Sequence, residues 1–279
     1  MLHEIDGFLY HCEYTVQKPK SEDFLLVFDG DRILLRREVP LTLAKISDFE
    51  EEDITAKDFQ YLFSIGSHSF FLLKKPYLFR MEPFYFASIQ TFREFSPRWL
   101  VFAGVTAYHL SYWYNHNRYC GVCAAPLIHR EDERALLCPA CGNIKYPDIA
   151  VAIIVGVVHG EKILLTRYCA GVYRRYALIA GFVEIGESLY DAVRREVYEE
   201  VGLTVKHIRY YDNQPWGFSQ SLLVGFFAEL DGTEEITLAK EELTEATWVR
   251  REDLKVGPSE ISLTRKMMAA YKNREILFP

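Results

Sequence analysis

The stretch Gly181-Phe-Val-Glu-Ile-Gly-Glu187, followed after seven residues by Arg195-Glu-Val-Tyr-Glu-Glu-Val-Gly-Leu203, decides how this chain is read. Ser188 carries the hydroxyl of a helix N-cap with Asp191 three residues on, and Gly202 supplies a stop that accepts a left-handed backbone. The spacing predicts a helix over 189–201. At roughly 100° per residue, Leu189, Ala192, Val193, Val197 and Val201 form its buried arc. Glu196 and Glu200 fall inside that arc, and Glu199 lies at its edge. A carboxylate buried without a partner costs on the order of 3–5 kcal/mol, and a bound cation removes that conflict. Three oxygen donors at i, i+3 and i+4 suit Mg²⁺ or Mn²⁺, hard ions that keep several waters and also bind phosphate oxygens. The alternative, a solvated acidic helix face, fits poorly because apolar positions surround the glutamates.

The same stretch fits the box Gx5Ex7REUxEExGU, with U apolar, at every specified position. The chain therefore resembles the Nudix hydrolases, which cleave a nucleoside diphosphate linked to another moiety. The resemblance implies an α/β/α sandwich over 148–279 and a metal-activated water attacking a phosphorus of the pyrophosphate. It further implies that Glu196, Glu199 and Glu200 are catalytic and metal-binding. Arg195 and Glu187 become an orienting pair, and the backbone carbonyl of Ala180 a further metal ligand.

Downstream lies Asn213-Gln-Pro-Trp-Gly-Phe-Ser-Gln-Ser221 between two apolar runs, which reads as a loop joining strands. Trp216 and Phe218 flank Gly217, so their rings offer faces for a planar base, and Gln214, Gln220 and Ser221 offer hydrogen bonds. Packing of Trp216 at an interface is the alternative. Upstream, four of the six cysteines form two knuckles, Cys120-Gly-Val-Cys123 and Cys138-Pro-Ala-Cys141, fourteen residues apart. Two such turns present four thiolates to one tetrahedral Zn²⁺, with Pro126 and Gly142 where the knuckles turn. A closed four-cysteine site leaves no open position, so this zinc is expected to be structural. Two local redox pairs are the competing reading. Cys12 and Cys169 have no partner at ligand spacing.

With both features present, the chain resembles the NAD(H) diphosphatase family over about residues 93–279, with its zinc ribbon and its SQPWPFPxS array. That array implies substrate binding by Gln214, Pro215, Trp216, Gly217, Phe218, Ser219, Gln220 and Ser221. Asn213, Gly217 and Ser219 depart from the family's Ser, Pro and Pro, and Ala124 replaces a usual Gly. The departures imply extra backbone freedom in the loop, so Gly217→Pro is expected to tighten NADH affinity where the local φ allows it. Tyr146 matches a substrate-contacting Tyr, Thr264 stands where a substrate-lining Ala is common, and Arg93 matches a substrate-contacting Arg. Glu242 best matches a late glutamate of the metal site, with Glu241 and Glu245 as rivals. The implied activity is hydrolysis of NADH or NAD⁺ to AMP and the nicotinamide mononucleotide. Family members also remove NAD caps from RNA, and the family is typically a homodimer. A broader enzyme acting on ADP-ribose or another dinucleotide, and a zinc-ribbon RNA-binding module with a vestigial Nudix domain, are the competing readings.

The remaining sequence sets the frame. The chain has 279 residues, 49% hydrophobic and 25% charged, a globular composition with length for about two domains. A net charge of −7 argues against a broad duplex-DNA surface, since that affinity comes from many cationic contacts to phosphate. The longest apolar run, Ala150 to Val158, is about half of the roughly 20 residues a spanning helix needs. The first residues include His3, Glu4 and Asp6, unlike a secretory leader, and the chain is read as cytoplasmic with no membrane partner. Short apolar runs such as Phe24 to Phe28 and Ile33 to Leu35, split by Asp29-Gly-Asp31, predict a β-rich N-terminal domain. A helix follows, with Ser96 as cap, Pro97 at its first position and Trp99, Leu100, Ala103, Ala107 and Leu110 on one face. The expected architecture is α+β and multidomain. It comprises a β-rich region with its helix over 1–115, a zinc ribbon over 116–147 and the sandwich over 148–279.

Overall fold

The turn signals near the N-terminus break the chain into short strands in the computed structural model. The structure describes residues 1–5, 7–38, 42–49, 54–74, 82–169, 176–239, 241, 243–257 and 261–276. The N-terminal strands are β1 (Tyr10–His11), β2 (Phe24–Leu26), β3 (Phe28–Asp29), β4 (Arg32–Arg36), β5 (Thr42–Lys45), β6 (Phe59–Ile65), β7 (His68–Leu73) and β8 (Phe84–Ser88). They pair in the order β1-β6-β7-β2-β5-β4-β3, with β8 on β4. The expected Asp29-Gly-Asp31 turn closes the β3–β4 hairpin, where Asp29 faces Arg32. Leu25, Leu34, Phe49, Phe71 and Phe84 fill the core of this region.

Helix α1 (Arg98–His116) begins one residue later than expected, with Pro97 in the cap position. Its burial also departs from a single stripe, since Val101, Phe102, Val105 and Trp113 are buried alongside Leu100, Ala103 and Ala107. The reason is packing on more than one side. Phe102 meets Tyr10 edge-on at 5.0 Å and Trp99 stacks on His68 at 5.1 Å, while the short turn Gly217–Ser219 also packs on the helix. A Cβ on Gly217 would lie 2.4 Å from the carbonyl oxygen of Val105. Proline there has no room, so Gly217→Pro is expected to disrupt the turn instead of tightening NADH affinity.

The ribbon strands β9 (Ile128–His129), β10 (Leu136–Leu137) and β11 (Ile144–Lys145) carry two matching knuckles. In each, the amide after the second cysteine donates to the first cysteine's carbonyl: Ala124 to Cys120 and Gly142 to Cys138, both at 2.9 Å. The turn residue that corresponds to Gly142 (φ 77°) is thus Ala124 (φ 59°), not Pro126, which instead bridges to Tyr119. The four sulfur atoms lie within 4.8 Å of one another. The pairs Cys120–Cys141 at 3.7 Å and Cys123–Cys138 at 3.4 Å approach the sulfur–sulfur edge of roughly 3.8 Å that Zn–S bonds of about 2.3 Å give in a tetrahedron.

The chain divides into two compact units, one of Leu2–Ile149 with Trp216–Gln220, the other of Met1, Ala150–Pro215 and Ser221–Pro279. The expected N-terminal and ribbon regions thus fall in one unit. Arg134 donates to the Cys12 carbonyl at 3.2 Å, and the Tyr14 hydroxyl donates to the Arg130 carbonyl at 3.1 Å. The aromatic turn, expected with the C-terminal domain, groups with this unit because it packs on α1.

In the other unit the apolar run becomes β12 (Ala150–His159), followed by β13 (Lys162–Tyr168), β14 (Ile179–Phe182), α2 (Leu189–Val201), β15 (Thr204–Trp216), β16 (Ser221–Asp231), β17 (Leu243–Arg250) and α3 (Leu263–Lys272). The sheet order is β15-β16-β12-β13-β17, with β14 beside β12 and β12 parallel to β16. A strand with both faces buried needs a continuous apolar sequence. Ile153, Val155 and Val157 pack with the α2 residues Ala192, Val193 and Val197, whereas Ile154 and Val158 pack with Leu263 and Met267 of α3. One helix on each face gives the expected α/β/α sandwich. Among the described residues no helix is long and apolar enough to cross a membrane.

Purified protein is expected to hold about one zinc per chain, because the thiolates form a complete ligand set. Cys138→Ser should lower the melting temperature before it alters chemistry, since structural zinc binding is folding energy. Elemental analysis that finds no zinc in protein prepared without chelator would overturn this.

Candidate active site

Helix α2 forms where the caps place it. The Ser188 hydroxyl accepts from the Asp191 amide, and Gly202 ends the helix at φ 69°. On it Glu196 is 8% exposed and Glu200 1%, while the Glu199 side chain is 57% exposed at the edge of the apolar arc. Arg195 gathers the box. Its Nε donates to Glu187 Oε1 at 2.8 Å and its Nη2 to Glu187 Oε2 and the Phe182 carbonyl, both at 2.9 Å. Its Nη1 donates to Glu196 at 2.7 Å and to Glu199 at 2.9 Å. Five acceptors meet the five N–H groups of one guanidinium, which no lysine could match.

This clamp holds the Glu187 carboxyl down at about 2, chiefly through the Arg195 hydrogen bonds and then through the Glu184 amide. A depressed carboxyl contributes stability that is fully present above its ordinary pKa and fades as pH falls toward 2.

Ala180 sits on β14 opposite Ile154. The adjoining Gly181 is what lets the helix approach, because a Cβ there would lie 2.0 Å from the Glu196 carboxylate. A further residue not singled out from sequence completes the arrangement. Tyr168, at the end of β13, donates to Glu200 Oε1 at 3.2 Å, lies 3.4 Å from the Ala180 carbonyl and accepts the Ala180 amide at 3.1 Å. The available signal was strand parity, since Leu164 and Tyr168 share the sheet face that packs on α2. The donor set, three carboxylates and a carbonyl around a strand kept bare by glycine, fits a hard divalent cation. The glutamates are not drawn together as tightly as the cysteines, the one metal-type group within 4.8 Å among the described residues. Arg195 bridges Glu196 and Glu199 here, and Tyr168 holds Glu200.

The late glutamates separate. Glu242 lies outside the described residues. Glu241 is exposed in a turn. Glu245 pairs in register with Arg167, accepts from the Tyr176 hydroxyl at 2.6 Å and faces the Arg167 guanidinium at 3.4 Å. Tyr176 packs with the α3 cluster, so Glu245 is turned to the sheet face opposite α2.

The substrate residues expected from the array do not form one loop. Strand β15 runs on through Gln214, Pro215 and Trp216, only Gly217, Phe218 and Ser219 make a helical turn, Gln220 follows at φ 52°, and buried Ser221 opens β16. Gln214 is 0% exposed and caps α3 from 49 residues away: its Oε1 accepts the Leu263 amide and its Nε2 donates to the Ile261 carbonyl, both at 2.6 Å. Its amide is thus committed to a helix end whose own Ser262 provides no cap, rather than displayed for a ligand. Thr264 lies half-buried in the first turn of α3. Trp216 and Phe218 are tilted against each other at 4.8 Å, and the Arg93 guanidinium covers both rings at 5.1 and 4.6 Å. Tyr146 is exposed and donates to Glu133 at 3.2 Å.

Gly181→Ala should leave the fold intact, with a melting temperature within a few degrees of the parent, but displace the Glu196 carboxylate. A misplacement of about 1 Å at a reacting centre costs about a hundredfold in rate. Turnover at the parental level in this variant would show that the close approach of α2 to β14 is dispensable.

Residues 147–271 match the NUDIX domain, and residues 115–146 match the NADH pyrophosphatase zinc ribbon domain. The NAD-capped RNA hydrolase NudC of Salmonella typhi is 41% identical over 159 residues, which cover 57% of this chain and 62% of that relative. Its counterpart from Escherichia coli O157:H7 is 42% identical over 162 residues, with the same coverage of 57% and 62%. The chain thus spans less than two thirds of the length of these relatives. A NUDIX hydrolase from Nitrosomonas europaea shares the fold at a TM-score of 0.50 and 22% identity, covering 57% of this chain and 92% of that one. The capped helix with its clamped glutamates thus lies in the stretch that matches the NUDIX domain, and the four-cysteine ribbon before it in the stretch that matches the NADH pyrophosphatase zinc ribbon domain.

Proposed function

We propose that this protein hydrolyses the pyrophosphate of NADH or NAD⁺, releasing AMP and the reduced or oxidised nicotinamide mononucleotide, and that it also removes NAD caps from RNA. The observation that carries the proposal is the placement of Glu196 and Glu200 inside the apolar arc of α2, with Glu196 under the Arg195 clamp and Glu200 sharing the Tyr168 hydroxyl with the Ala180 carbonyl. A bound Mg²⁺ or Mn²⁺ supplies charge neutralisation on the diphosphate and lowers the pKa of water. The chain's own residues do the rest. Glu196, Glu199 and Glu200 would hold the cation, and the Arg195–Glu187 pair fixes the orientation of Glu196 and Glu199. The aromatic pair Trp216 and Phe218 offers a stacking surface for a base, with Arg93 lying over both rings. The names of the relatives support the NAD-linked substrate class. The metal-type spacing of the cysteines suits a reducing compartment, so we place the enzyme in the cytoplasm, and the family resemblance supports a homodimer.

Metal-dependent AMP release from NADH, NAD⁺, ADP-ribose and NAD-capped RNA tests this reading. Glu200→Gln should lower kcat by about a hundredfold or more with the fold retained, because the amide keeps the shape and loses the charge. Near-normal kcat at saturating Mg²⁺ and Mn²⁺ would remove Glu200 from the site.

Trp216→Ala should raise KM for NADH by about five- to 150-fold, the equivalent of roughly 1–3 kcal/mol of stacking, with kcat little changed. Equal losses on NADH and ADP-ribose would sink the NADH-specific part of the proposal.

A further inference from the structure

The Tyr168 hydroxyl touches two groups that the proposed cation would need, and it touches them from a different strand. Its hydrogen is shared between Glu200 Oε1 at 3.2 Å and the Ala180 carbonyl at 3.4 Å, while its oxygen accepts the Ala180 amide at 3.1 Å. One hydroxyl thus links β13, β14 and α2. The ring itself is packed against the apolar cluster beneath α2, so the hydroxyl has little freedom to choose other partners.

Arg195 reaches Glu196 and Glu199 but makes no contact of this kind with Glu200. Arg195 thus holds Glu196 and Glu199, and the Tyr168 hydroxyl holds Glu200. We infer that Tyr168 is a positioning residue that sets the Glu200 carboxylate against the Ala180 carbonyl before a cation arrives. The inference rests on the cation site proposed above. It concerns cation affinity, because a hydrogen-bond partner behind a ligand orients that ligand and leaves the reacting atoms untouched.

A second tyrosine provides the control. Tyr176 donates to Glu245 at 2.6 Å on the opposite face of the sheet, so Tyr176→Phe removes a tyrosine–glutamate hydrogen bond from the same unit without touching the box.

The experiment titrates Mn²⁺ into the zinc-loaded, full-length protein without substrate and follows free Mn²⁺ by electron paramagnetic resonance. Melting curves and AMP release from NADH are measured alongside. Tyr168→Phe, which keeps the ring, should weaken Mn²⁺ binding by about tenfold or more. At saturating Mn²⁺ its kcat should return to within a few-fold of the parent. Tyr176→Phe should leave Mn²⁺ binding within twofold. Parental Mn²⁺ affinity in Tyr168→Phe would overturn the inference, as would a collapse of kcat at saturating metal with affinity unchanged. Equal weakening in both variants would reduce the effect to general loosening of the sheet and overturn it too. A parent protein that bound no Mn²⁺ would instead overturn the cation site itself, and the inference with it.

Discussion

Two carboxylates packed into the apolar arc of one helix are the constraint on which the Nudix unit depends. Glu196 and Glu200 occupy positions that leucine or valine would fill in an ordinary amphipathic helix, and the surrounding structure meets the resulting electrostatic demand. The caps at Ser188 and Gly202 fix where the helix starts and stops, hence which residues enter the arc. Glycine at 181 lets the strand come close enough to face Glu196. The guanidinium of Arg195 neutralises one end of the array, and its fork geometry ties the preceding loop to the helix through Glu187 and the Phe182 carbonyl. Gly181, Glu187, Arg195 and Gly202 have specified places in the sequence pattern because each answers the same demand.

That shared cause explains why this helix was legible in the sequence. Its caps, arc and acidic positions are set by residues within one short segment, and local periodicity suffices to read them. The ribbon was legible for the same reason, since each knuckle closes on itself within a few residues. The misjudged features depend on distant partners. Gln214 was read as a ligand-binding amide, yet it caps a helix that begins 49 residues later. Strand parity put Tyr168 on the same face as Leu164, but only the fold shows that this face meets α2. Helix α1 was read as one-sided, but its second covering comes from residues 217–219, far along the chain. The glutamates Glu241 and Glu245 look alike in sequence, and only the pairing of β13 with β17 sends Glu245 to the side of Arg167 and Tyr176.

The aromatic turn shows how a family departure gains a physical reason. Glycine at 217, a departure from the array that the sequence resembles, reads in sequence as added freedom. In the folded chain it is a point of closest approach, with the Val105 carbonyl occupying the space of any side chain. The turn is therefore held by packing from outside rather than by its own backbone restriction. Arg93 covers the two rings that follow from this placement, so the cation and the aromatic pair form one surface rather than two separate features.

The zinc knuckles differ at a single equivalent position, Ala124 against Gly142, both with a left-handed backbone. Left-handed helical geometry costs an alanine roughly 1–2 kcal/mol that glycine does not incur, partly offset by glycine's greater flexibility when unfolded. A net difference of about 1 kcal/mol corresponds to roughly fivefold in metal affinity. The second knuckle thus holds its left-handed turn with less backbone cost than the first, whose alanine relies more on the surrounding ribbon to keep it there.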